Sequence, residues 1–425
     1  MPSVYFETFG CQMNVADSDM LAQALFARGY FPAQTGADAD LIVVNTCSVR
    51  ERAEVRAKAR IAHYASLKKK NAWTGQLWVI GCMAQRLGEA LRKQIPGIDR
   101  MIGAKEIVSF VGEIDNALPG RLQTPGNLPG NSLSSPVSAF VPVMRGCDNF
   151  CSYCVVPYVR GEECSIPYAQ VETVVCDLVD KGTKEVTLLG QNVNSYADGP
   201  MDFSDLLEKI QALPGISRVR FTTSHPKDCT DKLLRTVARR PKLCRHIHLP
   251  VQSGSTRVLD RMNRNYTRET YLRLIKAIRQ ILPDADITTD AMVGFPSESE
   301  EDFADTLSLF KEVRFTAAFM FAYSKRNGTG AADMDDNVSE AIKKERLSRL
   351  IALQTEITKN RYAAMVGKEL EVLFVEQQLG GKKMWRGQDS GCKRTLLACN
   401  ENIAGTILKV RAMRSSGMTL ITERT

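Results

Sequence analysis

Residues 145–157 read RGCDNFCSYCVVP, which sets Cys147, Cys151 and Cys154 in a CxxxCxxC spacing on one short loop. The residues just before it, Ala139–Met144, form an apolar run of strand character, so the three thiols leave the end of a strand. Thiolates this closely spaced hold three irons of a [4Fe-4S] cluster, and with no fourth cysteine close behind, one iron stays open. Structural zinc is the competing reading, as are merely reactive thiols. Zinc normally closes with four ligands, and no adjacent His or Cys supplies the fourth.

Working outward, five more strand candidates follow the loop: Val186–Gly190, Val219–Thr223, His246–Leu249, Ile287–Val293 and Ala317–Tyr323, each trailed by helical patterning. Six βα units are too few for a closed eight-stranded barrel. The expectation is an incomplete (βα)6 barrel, open on one side for a large substrate. Upstream, VYFETFGC, LIVVNTC and LWVIGC alternate with helical segments in the first hundred residues, a rhythm that implies a parallel α/β sheet. Each of these runs ends in a cysteine, giving Cys11, Cys47 and Cys82. Carboxyl ends of parallel strands share one edge of a sheet, so three residues distant in sequence meet there. A second three-thiolate metal site is expected; three packed cysteines that happen to end strands are the alternative.

The stretch PGRLQTPGNLPGNSLSSP, Pro119 to Pro136, reads as a linker. A helical pattern from Ser339 to Ala364 leads into KELEVLFVEQ, TLLACN, AGTILKVRAM and GMTLITE, the alternation of a small antiparallel barrel. The expected division is an N-terminal domain 1–117, a linker 118–136, a barrel domain 137–364 and a small β-barrel 365–425.

Composition bounds the function. With 425 residues, 44% hydrophobic and 24% charged, the chain is globular rather than disordered, and no run of about 18 apolar residues marks a membrane span. Its start, MPSVYFETFGC, has no basic leader before an apolar segment, so a cytoplasmic location is expected and the 12 cysteines are read as ligands or thiols rather than disulfides. The net charge of +8 is concentrated late: residues 381–425 carry nine Lys or Arg against three Asp or Glu. A basic end of this kind suits a polyanion, with nucleic acid favoured over membrane. The basic segment Ser48–Lys70 is expected to be a solvated helix. Cys164, Cys176, Cys229, Cys244, Cys392 and Cys399 follow no ligand pattern, and the four histidines are given no role.

A CxxxCxxC loop after the first strand of a βα barrel is similar to that of the radical S-adenosylmethionine (SAM) superfamily. Joined to the second trio and the basic β-rich tail, it makes the chain resemble the radical SAM methylthiotransferase family over almost its whole length. The strings TFGCQMN at Thr8–Asn14, NTCSVRE at Asn45–Glu51, YCVVPYVRGEE at Tyr153–Glu163, LLGQNVNSY at Leu188–Tyr196, TTSHP at Thr222–Pro226 and LPVQSGS at Leu249–Ser255 resemble the branch that acts on tRNA.

The resemblance implies two [4Fe-4S] clusters, the second an auxiliary cluster on Cys11, Cys47 and Cys82, with SAM as both methyl donor and radical source. It implies a methylthio group inserted at carbon 2 of N6-isopentenyladenosine at position 37, in the tRNA anticodon loop. The nearest rivals act on a threonylcarbamoyladenosine in tRNA or on an aspartate of a ribosomal protein; a non-catalytic iron-sulfur RNA-binding or electron-transfer protein is the rival of another class. Gln191, Gln252, Ser253 and the backbone at Val293 and Phe295 are the implied SAM contacts, with ordinary turn chemistry as the alternative. Arg160 and Glu162 are implied near SAM or substrate, with surface ion pairing as the alternative. The tail resembles a TRAM domain, whose Lys382, Lys383, Arg386, Lys393 and Arg394 would meet phosphates. A low-potential electron donor such as flavodoxin or ferredoxin, a sulfur source, a monomeric state and no membrane partner complete these expectations.

Overall fold

The computed structural model describes residues 1–114, 137–378 and 383–425; the expected linker at 118–136 and Lys382 lie outside the described residues. The described residues fall into two compact units. One holds the N-terminal domain with Arg145–Asp148 and Cys154–Cys164; the other holds the large barrel, Asn149–Tyr153 and the C-terminal residues.

The N-terminal domain is built on a five-stranded parallel sheet in the order Phe31–Pro32, Ser3–Thr8, Leu41–Thr46, Gln76–Gly81, Arg100–Gly103. Its central strand LIVVNT is buried along its whole length because helices cover both faces, as a parallel sheet requires. Val43, Trp78 and Ile80 point to one face with Leu21 and Leu25, while Ile42, Val44 and Val79 point to the other with Ile61 and Tyr64. Each such large apolar side chain contributes about 1.5–3 kcal/mol on burial.

In the second unit the six expected strands are all present: Ser138–Pro142, Glu185–Leu189, Arg218–Thr222, His246–His248, Asp286–Val293 and Ala317–Ala322. The first three pair in parallel, the last three likewise, and a parallel bridge from Val219 to Leu243 carries the third strand toward the fourth. The intervening helices start on side-chain caps, with capping boxes at Asp202, Thr267 and Ser299. Amphipathic faces such as Leu206, Leu207 and Ile210 then seal against Val186 and Val219.

After the helix Glu340–Ala363 the chain closes a five-stranded barrel, ordered Glu369–Gln377, Met384–Asp389, Arg394–Ala398, Thr419–Arg424, Ile407–Ser416. It docks on the amino ends of the large barrel's strands through buried charges. Arg218 donates to the carbonyls of Gln388 at 2.7 Å and Glu371 at 2.8 Å. Arg220 pairs with Glu185 at 2.8 Å and donates to the carbonyls of Asp389 and Gly391. Lys393 is buried, its Nζ 2.5 Å from Asp286 and 3.3 Å from Asp389. Expected on an RNA-facing surface, Lys393 instead fastens the two barrels, because two buried carboxylates claim its charge. No helix among the described residues is long and apolar enough to cross a membrane.

Candidate iron-sulfur and cofactor sites

The cysteines of the first set follow three strands of the N-terminal sheet. Cys11 caps the helix Gln12–Phe26 after the strand Ser3–Thr8, Cys47 follows Leu41–Thr46, and Cys82 opens the helix Cys82–Leu87 after Gln76–Gly81. These three strands are neighbours in one parallel sheet. Glycines set the turns: Gly10 lies at φ +130°, where a Cβ would come 2.7 Å from Cys47 Cβ, and Gly81 at φ +96°, where one would come 2.5 Å from Asn45 Oδ1. Below them, Asn14 Nδ2 donates to Asn45 Oδ1 at 2.8 Å and to the Thr46 carbonyl at 2.9 Å, while Asn45 Nδ2 donates to the Asn14 carbonyl at 2.8 Å. This buried amide lock ties TFGCQMN to NTCSVRE.

The thiols feel one another. Burial raises the Cys47 thiol, with Cys11 adding to the effect, and the Val49 amide donates to Cys47 Sγ at 3.3 Å. Burial pushes Cys82 up to about 11, opposed by Arg160 and reinforced by Cys47 and Cys11. Burial and the neighbouring thiols hold Cys47 and Cys82 above the ordinary thiol value, and soft thiolate donors of this kind suit iron. Among the described residues, no group of three or more Cys, His, Asp or Glu side chains stands together as the ligands of a metal ion. Gly10→Ala should cost about 1–3 kcal/mol of stability, checked by thermal melting.

Arg160 belongs to this neighbourhood. Its Nη2 donates to Asp17 Oδ2 at 3.0 Å, and Arg145 Nη1 reaches Asp17 Oδ1 at 2.8 Å. Asp17 is fully buried on the helix after Cys11. The surface ion pairing weighed for Arg160 is thus replaced by a buried one, while Glu162 is exposed.

On the CxxxCxxC loop, Cys147 and Cys151 are buried and Cys154 is partly exposed. The Cys147 amide donates to the Gly161 carbonyl at 3.2 Å, and the Val156 amide to Cys154 Sγ at 3.5 Å. The middle of the loop is clamped by the turn after Thr256–Arg261. Ser152 N donates to the Met262 carbonyl at 3.0 Å, Asn263 Nδ2 to the Phe150 carbonyl at 3.0 Å, and Arg264 Nη1 to Cys151 Sγ at 3.5 Å. Arg264 is held in turn by the Pro250 carbonyl at 2.8 Å and Tyr266 Oη at 2.9 Å. No spacing rule announces this partnership, since 113 residues separate Arg264 from Cys151.

At the carboxyl ends of the barrel strands, Gln191 Oε1, Asn192 Oδ1 and Ser224 Oγ are buried without a hydrogen-bond partner in the protein. Buried polar atoms are normally satisfied, so these are the natural partners of a polar ligand. Gln252 sits at φ +68° in a bridge to Ala291. Ser253 is fully buried with its hydroxyl 3.4 Å from Thr306 Oγ1 and accepting from the Ser255 amide at 3.2 Å. Its hydroxyl thus serves the turn that leads into the helix Thr256–Arg261. Val293 and Phe295 are fully buried, Phe295 lying edge-on to Tyr323. The turn after Val293 is held by Glu298, which accepts from the Gly294 amide at 2.5 Å and pairs with Arg346 at 2.9 Å. Burial pushes the Glu298 carboxyl up to about 7. His246 and His248 both hydrogen-bond Thr288 Oγ1.

On the small barrel, Lys383, Arg386 and Arg394 are exposed. Arg386 and Arg394 lie on the same outer face of the paired strands Met384–Asp389 and Arg394–Ala398, with Arg386 bonded to Glu376.

Known proteins resemble the chain over most of its length. The Radical SAM superfamily model matches residues 141–310, and the model described as Uncharacterized protein family UPF0004 matches residues 3–103. The chain is 45% identical to the tRNA-2-methylthio-N(6)-dimethylallyladenosine synthase of Geotalea uraniireducens, over 97% of this chain and 96% of that one. It is 46% identical to the enzyme of the same name from Syntrophus aciditrophicus, over 87% and 83%. Among solved structures it resembles the radical S-adenosylmethionine methyltransferase TsrM from Kitasatospora setae, solved with cobalamin and a [4Fe-4S] cluster bound, at TM-score 0.58, 15% identity and 78% and 77% coverage. The cobalamin-dependent S-adenosylmethionine radical enzyme OxsB gives 0.53 at 13% identity, with 81% and 56% covered. These two likenesses establish the fold. Its barrel, its CxxxCxxC loop and its near full-length match to these synthases place the chain in the radical SAM family of tRNA-2-methylthio-N(6)-dimethylallyladenosine synthases, which use SAM and a [4Fe-4S] cluster.

Proposed function

We propose that the chain inserts a methylthio group at carbon 2 of N6-isopentenyladenosine at position 37 of tRNA. The observation that carries this reading is the meeting of Cys11, Cys47 and Cys82 at one sheet edge in a chain that also bears CxxxCxxC. The names of relatives at 41–46% identity supply the substrate. An aromatic C–H resists acid-base and nucleophilic attack, so radical chemistry fits the bond to be changed.

The donor sets fit two [4Fe-4S] clusters, on Cys147, Cys151 and Cys154 and on Cys11, Cys47 and Cys82, each leaving one iron without a protein thiolate. When bound, the first cluster with SAM supplies a 5′-deoxyadenosyl radical, and the second supplies a place for the sulfur that a further SAM methylates. The chain's own side chains do the holding. Gln191 and the backbone around Gln252, Val293 and Phe295 orient SAM, while Arg264 keeps Cys151 in place. Lys383, Arg386 and Arg394 contact phosphates, which position an RNA without reading its sequence. Unstacking the target base is cheap in a single-stranded loop. A low-potential reductant and a sulfur source are required from outside. The functional domains are 1–117, 137–364 and 365–425.

Mass spectrometry of nucleosides from cells lacking the chain tests the substrate. The 2-methylthio mark should vanish from isopentenyladenosine and persist on threonylcarbamoyladenosine, with ribosomal-protein aspartate methylthiolation unchanged. Loss of either of the latter marks instead would reassign the substrate.

A further inference from the structure

We propose that Arg160 is the anion-holding side chain of the N-terminal thiol site, with its Nη1 reserved for the sulfur anion, hydrosulfide or methanethiolate, that the site accepts. The proposal rests on the reading of Cys11, Cys47 and Cys82 as an auxiliary cluster site. Arg160 ends the short helix Val156–Arg160, which packs through Val159 against Cys82 and Ala104. Its side chain is 4% exposed. Asp17 takes Nη2 at 3.0 Å, but the same carboxylate also serves Arg145 at 2.8 Å, so one buried carboxylate answers two guanidiniums. A positive charge is left in excess, and Nη1 is buried with no acceptor in the protein.

A buried, charged donor without a partner is costly, and native proteins keep one where a ligand completes it. The negative groups that bear on Arg160, besides Asp17, are the Cys82 and Cys11 thiolates. Arginine suits the task because its planar fork lets one edge be pinned by a carboxylate while the other meets a second anion. A sulfur anion is the chemistry that matches this place: monoanionic, soft, and brought beside the thiols that would carry the iron.

The test uses the full-length chain with Cys147, Cys151 and Cys154 changed to alanine, reconstituted anaerobically so that only the N-terminal site is loaded. Sodium hydrosulfide and sodium methanethiolate are titrated while the electron paramagnetic resonance spectrum of the reduced cluster is followed. Arg160→Gln should weaken the apparent affinity for both probes about ten-fold or more at unchanged iron content. Parent-like affinity at full iron content overturns the proposal. Should Arg160→Gln lose iron, Arg160→Lys decides, since an ammonium cannot serve Asp17 and the anion as the fork does. Full iron with clearly weaker binding supports the proposal; parent-like binding, or loss of iron again, overturns it. If the parent spectrum responds to neither probe, the auxiliary-cluster reading itself fails, a result distinct from a failure of Arg160 alone.

Discussion

A chain in which Cys11, Cys47 and Cys82 are all alanine should still form 5′-deoxyadenosine from SAM, yet make no methylthiolated adenosine. The three thiols end neighbouring strands of the N-terminal sheet, whereas CxxxCxxC occupies a separate loop with its own clamp of Ser152, Asn263 and Arg264. Removing one donor set therefore leaves the other intact. Under the proposed reading of one four-iron cluster on each set, iron and sulfide should fall to about half. The converse triple variant at Cys147, Cys151 and Cys154 should keep the remaining iron and form no 5′-deoxyadenosine at all. Metal analysis and chromatography of the reaction mixture check both, and full iron retention in either variant would contradict two separate sites.

Asp286→Ala should be the most destabilising single change away from the thiols. Asp286 is 1% exposed, and it accepts from Lys393 Nζ at 2.5 Å, the Cys392 amide at 3.0 Å and Thr316 Oγ1 at 2.9 Å, with Arg361 at 3.4 Å. Deleting it leaves the buried Lys393 ammonium with only the longer contact to Asp389 and breaks the other hydrogen bonds, a loss of about 3–5 kcal/mol. For a unit of this size that lowers the melting temperature by on the order of 10 °C. The pH dependence has a definite sign. Burial raises the Asp286 carboxyl, but Lys393 and the hydrogen bonds outweigh it and hold the group below its ordinary value. Its stabilisation is therefore present above the ordinary carboxylate pKa of about 4 and lost as the pH falls through the folded value. Asp286→Asn should flatten that acid limb, as melting curves between neutral and acid pH would record.

Much of this was readable from local pattern. Strands that end in cysteine, and six apolar runs each followed by a helix, need only short-range periodicity to find, and all appear in the structure. What escaped was long-range partnership. Asp17 meets Arg160 across 143 residues and Asp286 meets Lys393 across 107, distances over which no spacing rule operates. WRGQDSGCKR read as an RNA surface because its lysines and arginines look alike in sequence. Folding sorts them, sending Lys393 inward to two carboxylates and leaving Arg386 and Arg394 outside. Asn45 offered a missed hint, as a polar residue inside the apolar strand LIVVNT has to find a partner, and Asn14 is that partner.

The docking of the small barrel on the amino ends of the strands makes the second unit a measuring device. Its fixed span is the length of a strand such as Asp286–Val293, about 26 Å at roughly 3.3 Å per residue. Under the proposed function, a polynucleotide held by its phosphates at the small barrel and offering a base at the carboxyl ends of the strands must bridge that gauge. Stems cut too short, however well their phosphates are held, would leave the reactive base out of reach.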